Sequence, residues 1–255
     1  MCYGFVMTHP NGFHPLPADL LFYASPPHAC SYLPGREAAT LFADPQRAMT
    51  PALYSALSDY GFRRSGDYVY RPRCAACHAC KPCRIPVNKF VPDRSQRRIW
   101  NRNLDLTVQI MPPDTEGTYF DLYRRYLSTR HTDGAMDSDD REQYRRFLTS
   151  SWSDSWFVLF RLGQRVVAVA VVDVLTQGLS AVYTFFDPTE EKRSLGTMAI
   201  LWQIEQAKRM GLPYLYLGFY IEESRKMSYK NRFHPLELFQ GGKWVVHHTD
   251  SRQNP

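Results

Sequence analysis

Three apolar segments, WFVLFRL (156–162), RVVAVAVVDVL (165–175) and LSAVYTFF (179–186), are separated only by the short breaks GQ and TQG. Breaks of two or three residues cannot carry a crossover, so the segments predict an antiparallel meander. The middle segment is apolar at both alternations, so it must be covered on both faces and sit centrally. The rest of the chain therefore has to supply a layer on each side of a sheet. The longest uninterrupted aliphatic run, Val166 to Val172, is stopped by Asp173. About 20 residues are needed to cross a bilayer, so no membrane helix and no membrane partner are expected. The N-terminal Pro, His and Asp residues fit no signal-peptide pattern, and the expected location is cytoplasmic.

Downstream of the meander comes a polar loop, DPTEEKR, then a helix from about Ser194 to Met210 stopped by Gly211, then a strand at Pro213 to Phe219. A helical crossover implies that this strand runs parallel to its predecessor. A last short strand is expected around Lys243 to Val246. Upstream, Tyr119, Leu122, Tyr123, Tyr126 and Leu127 recur at helical spacing, and Asp139 to Leu148 reads as a more polar helix. Thr50 as N-cap, Pro51 at the first helical position and Gly61 as the stop delimit an earlier helix. HACSYLPGR (28–36) reads as a loop around a Pro-Gly turn, and GFRRSGDYVYRPR as a turn and a short strand. Pro112 and Pro113 mark a boundary. The expected organisation is a loose arm (1–18), an N-terminal domain (19–111) and a C-terminal domain (112–255).

The cysteines and charges are unevenly placed. Cys74, Cys77, Cys80 and Cys83 form a C-x2-C-x2-C-x2-C run, with Cys30 a remote candidate and His78 inside the run. In a reducing compartment such clustered thiols point to metal or redox chemistry: zinc held tetrahedrally, or an iron-sulfur cluster with three clustered ligands and one remote. From Arg71 to Arg102 there are nine Lys or Arg residues against one acid, Asp93, while DGAMDSDDRE (133–142) reverses the sign. A stripe of this density suits a polyanion, although blocks of charge are also ordinary solvated surface. Arg94, Arg97, Arg98 and Arg102, with Trp100 among them, fall on an expected helix and make the natural phosphate track.

Strand, strand, strand, helix, strand is the order of the N-acetyltransferase fold, and Arg193-Ser-Leu-Gly196-Thr-Met198 resembles the R-x-x-G-x-G/A turn by which that superfamily holds a pyrophosphate at a helix N-terminus. Met198 stands where a small residue belongs and would crowd coenzyme A. The fold class expected is α+β: an acetyltransferase-like mixed sheet with helices, preceded by a small cysteine-bearing domain. A coenzyme A-dependent N-acetyltransferase and a non-catalytic RNA-binding metal module are two functional alternatives. The second leaves the meander unexplained.

Several segments together carry a more specific likeness. CSYLPGREA (30–38), GFRRSGDYVYRPRC (61–74), RIPVNKFVPDRSQRR (84–98), YTFFDP (183–188), RSLGTMAI (193–200), YLYLGFYI (214–221) and KMSYKNRFHPLE (226–237) resemble the aminoacyl-tRNA-protein transferases of the N-end rule pathway, above all the bacterial aspartate/glutamate leucyltransferases. The resemblance implies transfer of leucine from leucyl-tRNA to proteins beginning with Asp or Glu, which marks them for degradation. It implies no cofactor for the transfer itself, while eukaryotic arginyltransferases of the family bind iron-sulfur or related metal centres. Bacterial relatives are expected to carry C-x2-C-x2-C, so Cys83 is a departure.

The implied reaction is attack of an α-amine on an activated ester. The amine has an ordinary pKa of about 7.7 to 8.0, so positioning, deprotonation and oxyanion stabilisation are what the protein must supply. Tyr183, Asp187, Tyr216 and Tyr220 are candidates near the expected parting of the strands, with Glu205 a candidate base if burial raises its pKa. An acidic acceptor side chain calls for a fixed cation, for which Arg130 with His131, and Lys230 with Arg232, are candidates. Ser194 and Gly196 would serve substrate at the helix N-terminus.

Overall fold

The structure is a computed structural model and describes residues 15–130 and 140–248. Its main element is an eight-stranded mixed sheet that the meander organises. The meander forms β9 (Ser155–Leu162), β10 (Arg165–Leu175) and β11 (Gly178–Phe186), all antiparallel. Outside them lie β8 (Leu106–Met111) on one edge, and β12 (Tyr214–Tyr220), β7 (Lys81–Pro86), β13 (Glu237–Gln240) and β14 (Lys243–Val246) on the other. The order across the sheet is β14-β13-β7-β12-β11-β10-β9-β8. As expected from the helical crossover, β12 pairs with β11 in parallel.

β10 alternates between two apolar layers. Val167, Ala168, Ala170 and Val172 enter one core with α5 (Leu195–Arg209), while Val169 and Val171 enter a second core with α3 (Phe120–Arg130) and α4 (Arg141–Leu148). All six are fully buried. Each valine so placed contributes about 1.5–3 kcal/mol of burial, which is why the strand tolerates no polar residue until Asp173.

A smaller sheet comes from the N-terminal part, in the order β1 (Phe22–Ala24), β4 (Thr40–Ala43), β6 (Tyr68–Pro72), β5 (Arg63–Ser65). A two-residue ladder of β2 (His28–Ala29) and β3 (Glu37–Ala38) brackets the Pro-Gly turn. α1 (Pro51–Asp59) starts as its sequence requires, with Thr50 Oγ1 accepting from Leu53 N at 3.2 Å, and Gly61 takes φ +81°. A third apolar cluster joins α1 and the small sheet to Leu175 and Tyr216 of the large one.

Strands from both sides of Pro112 and Pro113 share the large sheet, since β7 and β8 precede the prolines and the other six strands follow them. The join between the sheets is also polar. Arg64 of β5 donates to both carboxylate oxygens of Asp173 (2.7 and 2.6 Å), and Asp173 also accepts from Tyr54 (3.0 Å) and Ser155 (2.7 Å). Neither charged side chain is exposed at all. α2 (Arg94–Arg102) carries a reciprocal cap between Asp93 and Gln96 and packs on α5. α6 (Arg225–Ser228) and a 3-10 turn at Tyr229–Arg232 follow β12. Among the described residues no helix is long and apolar enough to cross a membrane. The expected N-terminal arm lies outside the described residues up to position 14, as does His131.

Candidate active site

β11 and β12 pair over only three positions, Gly178–Ser180 against Tyr214–Tyr216, and then part. Each strand is irregular at that point. Val182 is an extra residue in the β10–β11 ladder and Leu217 an extra residue in the β12–β7 ladder. Bulges of this kind bend a strand, and two of them at the same level open a gap in the sheet. Carbonyls that lose their ladder partners need donors. The N-terminal module and the segment after β12 supply them. Arg63 Nη2 donates to Ala181 O (2.6 Å) and Val182 O (3.4 Å), and Lys230 Nζ donates to Phe219 O (2.5 Å), with Met227 Sδ at 3.6 Å. Gly218, at φ +81°, makes room: a Cβ there would lie 2.8 Å from Arg63 Nη1.

Phenols and thiols stand around these cations. Burial, together with neighbouring Arg63, pulls the Lys230 ammonium down to about 8, with Cys83 and Cys80 acting the other way. Tyr229 keeps 44% of its surface exposed, yet burial pushes its phenol well above the ordinary range. Tyr32 shows the same pairing, 37% exposed and raised by burial to about 12. Tyr183, just beyond the parting, packs its ring edge-on to Tyr126 and Phe147, and its buried hydroxyl has no hydrogen-bond partner among the described residues. Burial raises its phenol as well, which keeps it a neutral donor. Two surface recesses of about 400 and 360 Å³, at Pro188–Lys192 and beside Arg125 and Arg161, share no lining residue with this gap.

The other candidates are placed apart from one another. Asp187 caps the 3-10 turn after β11: burial opposes its ionisation, but hydrogen bonds from Thr189 and the charge of Arg165, 2.6 Å away, hold its carboxyl below the usual range. Tyr216 is 3% exposed and donates to Asp59 in the third core. Tyr220 is 3% exposed, its ring 5.3 Å from that of His247. The side chain of Glu205 is 41% exposed and pairs with Lys208 at 2.9 Å, so the buried-base expectation gives way to the solvated carboxylate. Arg130 closes α3. Arg232 is exposed and donates to Ser95 at 3.2 Å. At the start of α5, Ser194 adopts φ +52°, a Cβ on Gly196 would meet the Phe186 ring at 3.2 Å, and Met198 is core. Arg193 is turned away, paired to Asp105 at 2.8 Å, so the turn that resembles a pyrophosphate cradle is filled by the protein's own contacts.

The thiols divide. Cys30, Cys74 and Cys77 lie close enough that, after burial, they help to raise Cys80 to about 12. Cys77, by contrast, is lowered by the Ala79 backbone amide and by Arg36, whose Nη1 lies 3.5 Å from its sulfur while Nη2 pairs with Glu223 at 2.6 Å. Cys83 sits on β7 in the main core, 1% exposed and pushed by burial to about 11, with Lys230 and Arg63 rather than a thiol as its charged neighbours. Four thiols are a donor set suited to a soft ion. No group of three or more His, Cys, Asp or Glu side chains among the described residues has converged to hold one. On α2, Arg94, Arg97, Arg98 and Arg102 are all exposed, on the face opposite buried Gln96, Ile99 and Asn103, with Trp100 at its margin. Arg97 and Arg102 cap backbone carbonyls of Pro92 and Lys192.

Sequence reasoning missed Arg63. The available signal was Gly218, an isolated glycine inside LYLGFY, because glycine within a strand marks a bulge or the close approach of another group.

Residues 28–98 match the family model for the N terminus of arginine-tRNA-protein transferase, and residues 118–240 the model for its C terminus. An aspartate/glutamate leucyltransferase of Nitrosococcus oceani is 55% identical over 226 residues, covering 88% of this chain and 95% of that protein. One of Pseudomonas putida is 53% identical over 229 residues, covering 90% and 97%. Among solved structures, L-PGS from Bacillus licheniformis superposes with a TM-score of 0.43 at 11% identity, over 66% of this chain and 51% of that one.

Proposed function

The chain belongs to the arginine-tRNA-protein transferase family, close to its aspartate/glutamate leucyltransferases, and from that premise we propose that it transfers leucine from leucyl-tRNA to the α-amine of proteins beginning with Asp or Glu. What carries the reading is the 55% identity along 95% of a relative bearing that name. The order β9–β10–β11–α5–β12, with a parallel pair that parts at two bulges, supports an acetyltransferase-like fold for the catalytic portion. The leucylated products are degradation substrates, and the enzyme works in the cytoplasm.

In the reaction the acceptor amine attacks the ester carbonyl carbon, the carbonyl electrons move onto oxygen, and collapse expels the tRNA 3′ end as the leaving oxygen. The amine proton passes to solvent or to that oxygen. The ester is already activated, so placing the two groups and stabilising the oxyanion account for most of the barrier lowering. Tyr183 is suited to donate to the oxyanion: its hydroxyl is buried, neutral and unpartnered. Lys230 adds a fixed positive charge. The exposed arginines of α2, with Trp100, form the track for tRNA phosphates. Cys30, Cys74, Cys77 and Cys80 would hold zinc or an iron-sulfur cluster once drawn together, a structural tie from the N-terminal module through Arg36 to Glu223 after β12. Cys83 takes no part in that set.

The test is incubation with radiolabelled leucyl-tRNA and a Glu-starting peptide, with arginyl-tRNA in a parallel arm. Label should pass to the peptide from leucyl-tRNA only. Transfer from arginyl-tRNA alone, or from neither, would overturn the reading.

A further inference from the structure

Neighbouring Arg63 and Arg64 are both buried, and their surroundings differ in one respect. Arg64 is neutralised by Asp173 and donates also to Ser155 and the Leu148 carbonyl. Arg63, 9% exposed, forms no ion pair among the described residues. Its Nη2 is anchored on the two β11 carbonyls, which fixes the guanidinium plane, while Nη1 is buried without a hydrogen-bond partner. Phenols, a thiol and an amine feel its charge: Tyr32, Tyr54, Tyr70, Tyr229, Cys83 and Lys230. A buried guanidinium with no anion is costly unless something brings one, since charges withdrawn from water are ordinarily paired. Glycine at 218 lets the guanidinium lie against the β12 backbone, since a Cβ there would be 2.8 Å from Nη1.

We infer that Arg63 is the specificity residue for the acceptor: its Nη1 donates to the side-chain carboxylate of the incoming N-terminal Asp or Glu in the gap between β11 and β12. The inference rests on the leucyl transfer proposed above. The carboxylate completes the pairing that Arg63 lacks, and a neutral Asn or Gln side chain leaves the guanidinium uncompensated, so selectivity follows from charge rather than from size. Tyr229 and Tyr32, the exposed rings of the set, are the first groups an entering side chain meets.

The test compares wild type, Arg63→Gln and Arg63→Lys with Glu-starting and Gln-starting peptides that are otherwise identical, reading KM and kcat separately and checking the fold by circular dichroism and thermal melting. Arg63→Gln should raise KM for the Glu peptide about 30- to 100-fold, the loss expected for one charge-assisted hydrogen bond, with kcat changed only a few-fold. KM for the Gln peptide should scarcely move, so the preference for acid collapses. Arg63→Lys, which keeps the charge without the planar donor, should fall between. Equal losses on both peptides, an undiminished preference for Glu, or unfolding of both variants would assign Arg63 to structure and overturn the inference. Failure of the wild type to leucylate the Glu peptide would instead refute the transfer reading.

Discussion

Asp173→Ala should cost about as much stability as truncating a large aromatic of the sheet interior. The carboxylate accepts two hydrogen bonds from Arg64, at 2.6 and 2.7 Å, and one each from Tyr54 and Ser155, with no solvent access to either charge. Removing it strands a guanidinium in the interior, for which about 3–5 kcal/mol is the ordinary loss when one partner of a buried pair is deleted. For a chain of this size each kcal/mol lowers the melting temperature by about 2–4 °C, so a fall of roughly 6 to 20 °C is expected. Calorimetry and urea unfolding of the purified variant measure it. The double variant Arg64→Met/Asp173→Leu should recover most of the loss, because replacing both charges by apolar groups of similar size is often neutral. A cost below about 1 kcal/mol for the single variant, or a double variant worse than either single one, would refute the claim that the pair is buried and mutually dependent. Because Arg64 is the chain neighbour of Arg63 on β5, Asp173→Ala should also loosen Arg63 and weaken peptide binding before the fold is lost.

Lys230 gives a pH signature of defined sign. Its folded pKa of about 8 lies below the ordinary 10.5, so between those values the unfolded chain holds the extra proton and the Lys230 contribution to stability rises with pH, against the opposite contribution of the raised thiols of Cys80 and Cys83. Lys230→Met should make stability fall more steeply with pH across that window than in the wild type, and an unchanged slope would contradict the assignment. On α2, Arg97→Ala/Arg98→Ala should weaken tRNA binding and reduce the slope of log affinity against log salt by about 0.7 to 0.9 for each lost phosphate contact, measured by filter binding over a salt series. An unaltered slope would remove α2 from the track. Reconstitution with zinc or with iron and sulfide should fail in Cys80→Ser and succeed in Cys83→Ser, followed by elemental analysis and absorption spectra. Equal loss in both would place Cys83 in the set.

The meander, the helix between Ser194 and Gly211 and the α1 cap were legible because each is local: strand alternation, a capping threonine and a stopping glycine lie within a few residues of the element they set. β7 was not legible. KPCRIP is short, contains two prolines and ends a cysteine run, and only its place between β12 and β13 makes it a strand. The site divided in the same way. Lys230 was singled out from its sequence neighbourhood, whereas Arg63 could not be told from Arg64, since what separates them is an aspartate 109 residues beyond Arg64. Tyr216, a tyrosine on the expected strand, donates to Asp59 of α1, a contact no spacing reveals.

β7 pairs with β12 and β13, and both are encoded far downstream, after Tyr214. During synthesis the cysteine-rich segment and its strand leave the ribosome long before either neighbour exists. The nascent chain must therefore carry an unpaired, largely apolar strand through the making of the whole meander, a period in which bare strand edges invite misassociation. About the last sixth of the protein acts as a clasp, and a nonsense mutation between the meander and β12 should leave β7 without either neighbour and the N-terminal half exposed rather than independently folded.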